Sequence, residues 1–236
     1  MSPQSSKIRV GVVGAGGRIG QELLKLLQDH DSMEPTLGIG RRSVGYKQNV
    51  YGLASLHPII DVMIDFSTPN FFLEALEFCC QNKIPLVSGT TGLSQDDQEK
   101  MKIASQLIPL LWAPNMSLGV AILKKALEVF KPNSTFDFQI EEWHHRHKKD
   151  SPSGTALFLK SALEKTIERQ TPSPMVMRAG GIYGVHKIHA VSEEELISFE
   201  HTALNRTVFA RGALVGARWI LNQRKNGFYT MEDVIS

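Results

Sequence analysis

A chain of 236 residues is long enough for one large domain or two small ones with real cores. Its 42% hydrophobic and 21% charged content is that of a soluble globular protein, and no apolar run approaches the length of a membrane span. A net charge of +2 is too small to argue for nucleic acid. Neither a nucleic-acid nor a membrane partner is therefore expected, and any basic site must be local.

The first seven residues, Met1 to Lys7, are polar and lead straight into a strand-like run, so no signal peptide is expected and the protein reads as cytoplasmic. Short β runs then alternate with helical patterns. Strands are predicted over 8–13, 62–66 and 86–88, helices over 19–27, 71–80 and 96–106, and a further strand over 108–112. That alternation predicts an α/β domain with a parallel sheet and crossover helices. Cys79 and Cys80 fall in an apolar helical segment and read as buried, reduced thiols. After Asn115 the character changes. A helix over 118–130 precedes a strand over 136–141, a His/Lys segment, a long helix, and strands over 187–191 and 196–201 around the acidic turn of Glu193, Glu194 and Glu195. This second part reads as α+β with a mixed or antiparallel sheet, and the boundary is expected close to 113–117.

The first βα turn carries Gly14, Gly17 and Gly20 between an apolar strand and a helix start. In a βαβ unit such glycines let the backbone approach a pyrophosphate that rests on the helix N-terminus; a purely structural turn is the competing reading. Gly14, Ala15, Gly16, Gly17, Arg18 and Ile19 are the candidate dinucleotide contacts, with Arg18 suited to pair with phosphate. The second strand ends over 36–40 and is followed by Arg41 and Arg42, with no acid nearby. An acid there would accept from the 2′-hydroxyl of NAD, whereas arginine favours the 2′-phosphate of NADP. NADPH is thus the expected cofactor, with NADH possible; a solvated arginine pair is the alternative. Two further loops, 65–69 and 88–92, follow strand ends on the ligand side of such a sheet, and Gly89, Thr90 and Thr91 could meet a ribose or nicotinamide. Ala113, Pro114, Asn115 and Met116 fall at the expected junction, where the reactive end of a cofactor should meet substrate.

The window 142–156 concentrates the acid–base chemistry. Three histidines (His144, His145, His147) and two lysines (Lys148, Lys149) fall within six positions, followed at once by Pro152, Ser153, Gly154 and Thr155. Imidazole exchanges protons near neutral pH. Beyond the turn Ala156, Leu159, Ala162, Leu163 and Ile167 recur at helical spacing, so a helix should start near Ser153, and its first N–H groups suit a carboxylate or phosphate. A solvated basic loop is one alternative and a metal site another. The latter lacks a His pair at helical i, i+4 spacing, and two nearby lysines would repel a cation, so no metal is expected.

Together these segments resemble the 4-hydroxy-tetrahydrodipicolinate reductase (dihydrodipicolinate reductase) family of the diaminopimelate–lysine pathway. The resemblance runs through 14–20, 65–67, 89–92, 113–119, 142–156, 178–186, 201–213 and 231–234, and the pattern from His144 to Thr155 is the most specific part. It implies a Rossmann-like dinucleotide-binding domain from 1–116 and 206–236, and an inserted α+β substrate-binding and oligomerisation domain over 117–205. It also implies a homotetramer, and NAD(P)H-dependent reduction of a cyclic imine dicarboxylate. On the same resemblance Lys148 corresponds to the proposed proton donor and His144 to the proposed acid/base residue. His145 would contact substrate, and Ser153, Gly154 and Thr155 would hold a carboxylate. For Glu142, Arg146, His147 and Lys149 surface or structural roles are expected, and Asp150 should cap or orient the turn. The chain departs from the family where Arg41 replaces a common acid and where Gly181 and Val185 replace two acids of the segment after Arg178. These changes bear on the inserted sheet and tetramer contacts. A non-catalytic NADP-binding regulatory protein on the same scaffold is the rival expectation.

Overall fold

The apolar runs predicted in the first half of the chain form parallel strands. The computed structural model of the protein describes residues 6–40, 49–50 (backbone only), 60–132, 135–223 and 225–236. Its contacts divide the chain into two compact units, one holding the chain to Ser117 together with Phe209–Val234, the other holding Leu118–Val208.

In the first unit the strands are β1 (Ile8–Val13), β2 (Met33–Ile39), β3 (Asn49–Val50), β4 (Val62–Asp65), β5 (Leu86–Ser88), β6 (Pro109–Trp112) and, from the end of the chain, β11 (Gly227–Tyr229). They make one parallel sheet in the order β11-β6-β5-β4-β1-β2-β3. All four residues of β4 are buried, as expected of a central strand covered on both faces. Helices α1 (Arg18–Gln28), α2 (Pro69–Asn82) and α3 (Gln95–Ala104) connect the strands. The starts of α2 and α3 follow from local chemistry. Pro69 opens α2, where its missing N–H has no intrahelical role. Ser94 and Asp97 form a reciprocal capping box at the start of α3. A core of Phe72, Leu76, Met101, Ile108 and Leu110, with sheet residues Val13, Ile39, Met63 and Leu86, fills one face. Helix α6 (Thr207–Leu221) packs closely enough that a Cβ on Gly212 would lie 1.7 Å from the carbonyl oxygen of Met116, so only glycine fits there.

The second unit holds α4 (Leu118–Ala126), β7 (Asp137–His144), α5 (Gly154–Ile167), β8 (Met175–Arg178), β9 (Gly184–Val191) and β10 (Leu196–Ala203). Its sheet runs β10-β9-β7-β8 and is mixed: β7 and β8 are parallel, the other pairs antiparallel. On β7, Phe138, Ile140, Glu142 and His144 are buried while the intervening residues are not, the period-two signature of one packed face. Phe138 and Ile140 join Leu123, Leu127, Phe130, Leu159, Leu163 and Ile188 in a separate core.

Some elements differ from the sequence expectation in their bounds or go beyond it. The helix predicted over 118–130 ends at Ala126 and tightens into a 3₁₀ turn, Leu127–Val129. Strand β7 runs to His144 instead of stopping at 141. Strand β8, the short β3 and β11 and helix α7 (Met231–Val234) are elements for which the sequence pattern names no bounds, since their few residues carry no period of their own.

Candidate active site

In the first unit a cleft of about 380 Å³ opens at the C-terminal ends of β1 and β4, lined by Gly14, Gly16, Gly17, Gly40, Phe66, Ser67, Thr68 and Phe71. This is the point where the strand order reverses, with β2 on one side of β1 and β4 on the other, and open α/β sheets bind ligands in that crevice. Gly14 has φ +76°, and a Cβ on it would lie 2.2 Å from the Phe66 carbonyl oxygen, so the loop is built around its lack of a side chain. A Cβ on Gly20 would lie 2.2 Å from the Gly14 oxygen, which explains the close seating of α1 under the loop. Helix α1 begins after Gly17 with no side-chain cap and no acid in its first turn. Such a turn fits the phosphates of a dinucleotide.

Beneath the neighbouring loops lies Asp65, fully buried at the end of β4. It accepts hydrogen bonds from the hydroxyls of Ser67, Ser88 (2.7 Å) and Thr90 (2.7 Å). Burial raises its carboxyl above the usual range, and those three hydroxyls partly offset the effect. Thr90 also accepts from the Ser67 N–H at 2.9 Å, and its carbonyl accepts from the Trp112 indole at 2.9 Å. One carboxylate therefore ties the loops after β4 and β5 together.

In the second unit the strand period brings Glu142 and His144 onto the same buried face, two residues apart. The parallel register sets His144 beside Arg178 on β8, and the antiparallel register sets Glu142 beside His186 on β9. Glu142 is wholly buried, and its two oxygens accept from Arg178 at 2.7 and 3.1 Å, from the Ser153 N–H at 3.0 Å, and from Nδ1 of His144. Burial would push its carboxyl up, yet the hydrogen bonds from Arg178, His144 and Ser153 hold it below the usual range. His144 is lowered, chiefly by burial, with Glu142 working in the opposite sense and Lys148 and Arg178 adding to the fall. His186 is pushed down to about 3 by burial and by the neighbouring His144. Its ring stands edge-on to that of His144, centroids 5.2 Å apart, and its Nε2 lies 3.3 Å from Ser153 Oγ. Lys148 Nζ donates to both oxygens of Asp150 at 2.8 and 2.9 Å.

Residues 8–116 match the family model described as dihydrodipicolinate reductase, N-terminus, and residues 116–235 the one described as dihydrodipicolinate reductase, C-terminus. The chain belongs to the dihydrodipicolinate reductase family. It is accordingly an oxidoreductase of that family's kind. A 4-hydroxy-tetrahydrodipicolinate reductase of Bdellovibrio bacteriovorus is 44% identical over 229 residues, covering 97% of this chain and 96% of that one. One from Wolinella succinogenes is 38% identical, covering 96% and 98%. Among solved structures, the dipicolinate-bound dihydrodipicolinate reductase of Paenisporosarcina sp. TG-14 superposes with a TM-score of 0.81 at 24% identity, covering 96% of this chain and 99% of that one, and so shares the fold. The diaminopimelate dehydrogenase of C. glutamicum shares it more distantly, with a TM-score of 0.63 at 12% identity and coverage of 98% and 96%.

Within this reductase family fold, Gly14, Gly16 and Gly17 line the cleft, while Ala15 is buried and Arg18 and Ile19 open α1. Gly89 and Thr90 sit in the loop after β5, with Thr90 buried and its hydroxyl spent on Asp65; Thr91 is exposed. Ala113 and Met116 are buried, and Asn115 Oδ1 accepts from the Ser117 N–H at 2.9 Å just before α4 begins. Arg41 and Arg42 lie outside the described residues. Ser153 is the N-cap of α5, buried, its hydroxyl accepting from the Ala156 N–H at 3.2 Å. Gly154 is exposed, and Thr155 and His145 are half-buried. Arg146, His147 and Lys149 are exposed, but Glu142 is no surface residue. Sequence reasoning did not single out Arg178, His186 or Asp65. A buried carboxylate's partners come from strand register, which one sequence does not print. The available signal was weaker: a charged residue at the end of an apolar run.

Proposed function

We propose that this protein reduces 4-hydroxy-tetrahydrodipicolinate to tetrahydrodipicolinate with NADPH, NADH serving less well. What carries the proposal is the buried cluster of Glu142, His144, Arg178 and Ser153, which stations an imidazole and the nearby Lys148 ammonium beside the start of α5. The dipicolinate bound by the Paenisporosarcina relative supports a cyclic dicarboxylate as ligand. Gly14, Ala15, Gly16, Gly17, Arg18 and Ile19 would hold the pyrophosphate, Arg41 and Arg42 the 2′-phosphate, and 89–91 with 113–116 the nicotinamide half. When bound, the cofactor would supply a hydride to carbon 4 of the conjugated imine that remains once the substrate's 4-hydroxyl has left as water. Electrons then move toward the ring nitrogen, which needs a proton. Lys148, partly accessible and oriented by Asp150, gives it, while His144 acts as the acid–base partner. Ser153, Gly154 and Thr155 would hold a carboxylate at the start of α5, and His145 would contact the substrate.

The same proposal includes a homotetramer, supported by Met175, Val176, Leu196 and Ile197, which are exposed on the second sheet, and a cytoplasmic location, supported by the free thiols of Cys79 and Cys80. No helix among the described residues is long and apolar enough to cross a membrane. The test is NADPH oxidation by the purified protein, with substrate made in situ from pyruvate and aspartate semialdehyde. Lys148→Ala should lose about 10²-fold or more in kcat while binding NADPH as the wild type does. Full activity in that variant removes the mechanism; no turnover in the wild type removes the function.

A further inference from the structure

The cluster around Glu142 holds more than its place in a fold requires. Glu142 is 0% exposed, and four donor groups converge on its two oxygens. The Arg178 guanidinium is always protonated and grips both oxygens, at 2.7 and 3.1 Å, which fixes the carboxyl as carboxylate. A carboxylate only accepts. The His144 nitrogen facing it, Nδ1, must therefore carry a hydrogen. A neutral imidazole has one N–H, so the other nitrogen, Nε2, is left with a bare lone pair.

Space for that lone pair is built in. Across from His144, at the start of β9, stands Gly184, where an added Cβ would lie 3.0 Å from Nε2. Any other residue would press on the ring at the atom that must react. The groups that face His144 come from every side: Glu142 on its own strand, Arg178 from β8, His186 from β9 and Lys148 from the following loop, with His201 on β10 acting on His186. Of these only Glu142 is an anion.

Building on the proposed acid–base role of His144, we infer that Glu142 is its positioning residue: clamped by Arg178 and the Ser153 N–H, it takes the Nδ1 hydrogen and so presents His144 to substrate as an acceptor at Nε2. This divides the labour within the segment. Lys148 donates the proton that the ring nitrogen takes up, and His144 accepts a hydrogen bond from substrate at Nε2; a proton that substrate passes along that bond makes an imidazolium balanced by Glu142. Ser153 is thereby drawn into the same device, since its N–H is one of the clamps and its side chain caps α5. A shift in Glu142 would move the start of α5 and the imidazole together.

The test has two arms on the full-length protein. Nitrogen-15 spectra of histidine-labelled enzyme, with His144 assigned by its loss in His144→Asn, read the tautomer without reference to turnover. The expected result is a protonated Nδ1 and an unprotonated Nε2; a protonated Nε2 in the neutral ring overturns the inference whatever the activity. The second arm compares Glu142→Gln with Glu142→Asp. The carboxamide can itself donate, so Glu142→Gln should lose the Nδ1–H form and about 10²-fold or more of kcat, with KM and NADPH affinity little changed. Its acid limb in the pH profile should shift to lower pH, because the imidazolium has lost its counter-ion. Glu142→Asp, still an acceptor, should keep the tautomer and more of the rate. Equal rates and profiles in wild type and Glu142→Gln overturn it. If the wild type failed to reduce the substrate at all, the proposed function would fall while the spectra still decided the tautomer, so the two failures are told apart.

Discussion

Replacing Arg178 by methionine keeps most of the side-chain bulk and removes the guanidinium. The loss includes both hydrogen bonds to Glu142 (2.7 and 3.1 Å) and those to the carbonyls of Asp150 (2.7 Å) and Met177 (2.9 Å). Glu142 would then be a buried charge with only the Ser153 N–H and His144 for company. Breaking a buried pair by deleting one partner costs about 3–5 kcal/mol, and Arg178 is shielded enough at 19% side-chain exposure for that range to apply. The pH dependence follows from the direction of the shift. In the wild type the Glu142 carboxyl is held below its usual value, so its contribution is fully present above the unfolded-state pKa and fades as pH falls through the folded one. Without Arg178, burial dominates and the carboxyl rises above its usual value, which reverses the sign: stability is lost at neutral pH and recovered as the group protonates. Urea unfolding across a pH series should therefore show a gap of about 3–5 kcal/mol near pH 7 that narrows below about pH 5. A gap under about 1 kcal/mol at neutral pH, or one that does not change with pH, would refute a buried carboxylate held by arginine.

Three further substitutions probe other parts of the molecule. Gly14→Ala would place a Cβ 2.2 Å from the Phe66 carbonyl oxygen at φ +76°, so NADPH affinity measured by fluorescence titration should fall by at least about tenfold; unchanged affinity would detach the cleft from the cofactor. Gly184→Ala should lower kcat, by about tenfold, with NADPH binding intact, because its methyl group displaces the His144 ring at Nε2; a wild-type kcat would show that this nitrogen needs no room. Changing Arg41 and Arg42 together to alanine should narrow the ratio of NADPH to NADH in kcat/KM by about tenfold or more, and an unaltered ratio would assign the 2′-phosphate to other residues.

Much of the fold was legible because burial writes itself into period. Strands covered on both faces, such as Val62–Asp65, are continuous apolar runs, and α1 places Leu23, Leu24 and Leu27 on one buried face. Reading failed where polar residues occupy core positions. The strand ending in Glu142, Trp143 and His144 looks like the beginning of a loop, since its last residues are those of a site, and its legible pattern stops three residues early, at 141. Met175–Arg178 carries no legible strand signal, because a four-residue strand at the sheet edge, following a proline-rich stretch, has too little alternation. At the site, the helix start at Ser153 was visible from spacing, and the histidine–lysine segment from its chemistry. The carboxylate's clamp was not. Arg178 stands 36 positions from Glu142, and only strand register makes them neighbours.

The bare start of α1, with glycine at its cap position and no acid in its first turn, has a consequence for the protein's resilience to heat. A pyrophosphate seated there would satisfy amides and a dipole that the polypeptide leaves uncompensated. The melting temperature of this reductase should then climb with the logarithm of cofactor concentration, and a nucleotide-starved pool should be the first to unfold.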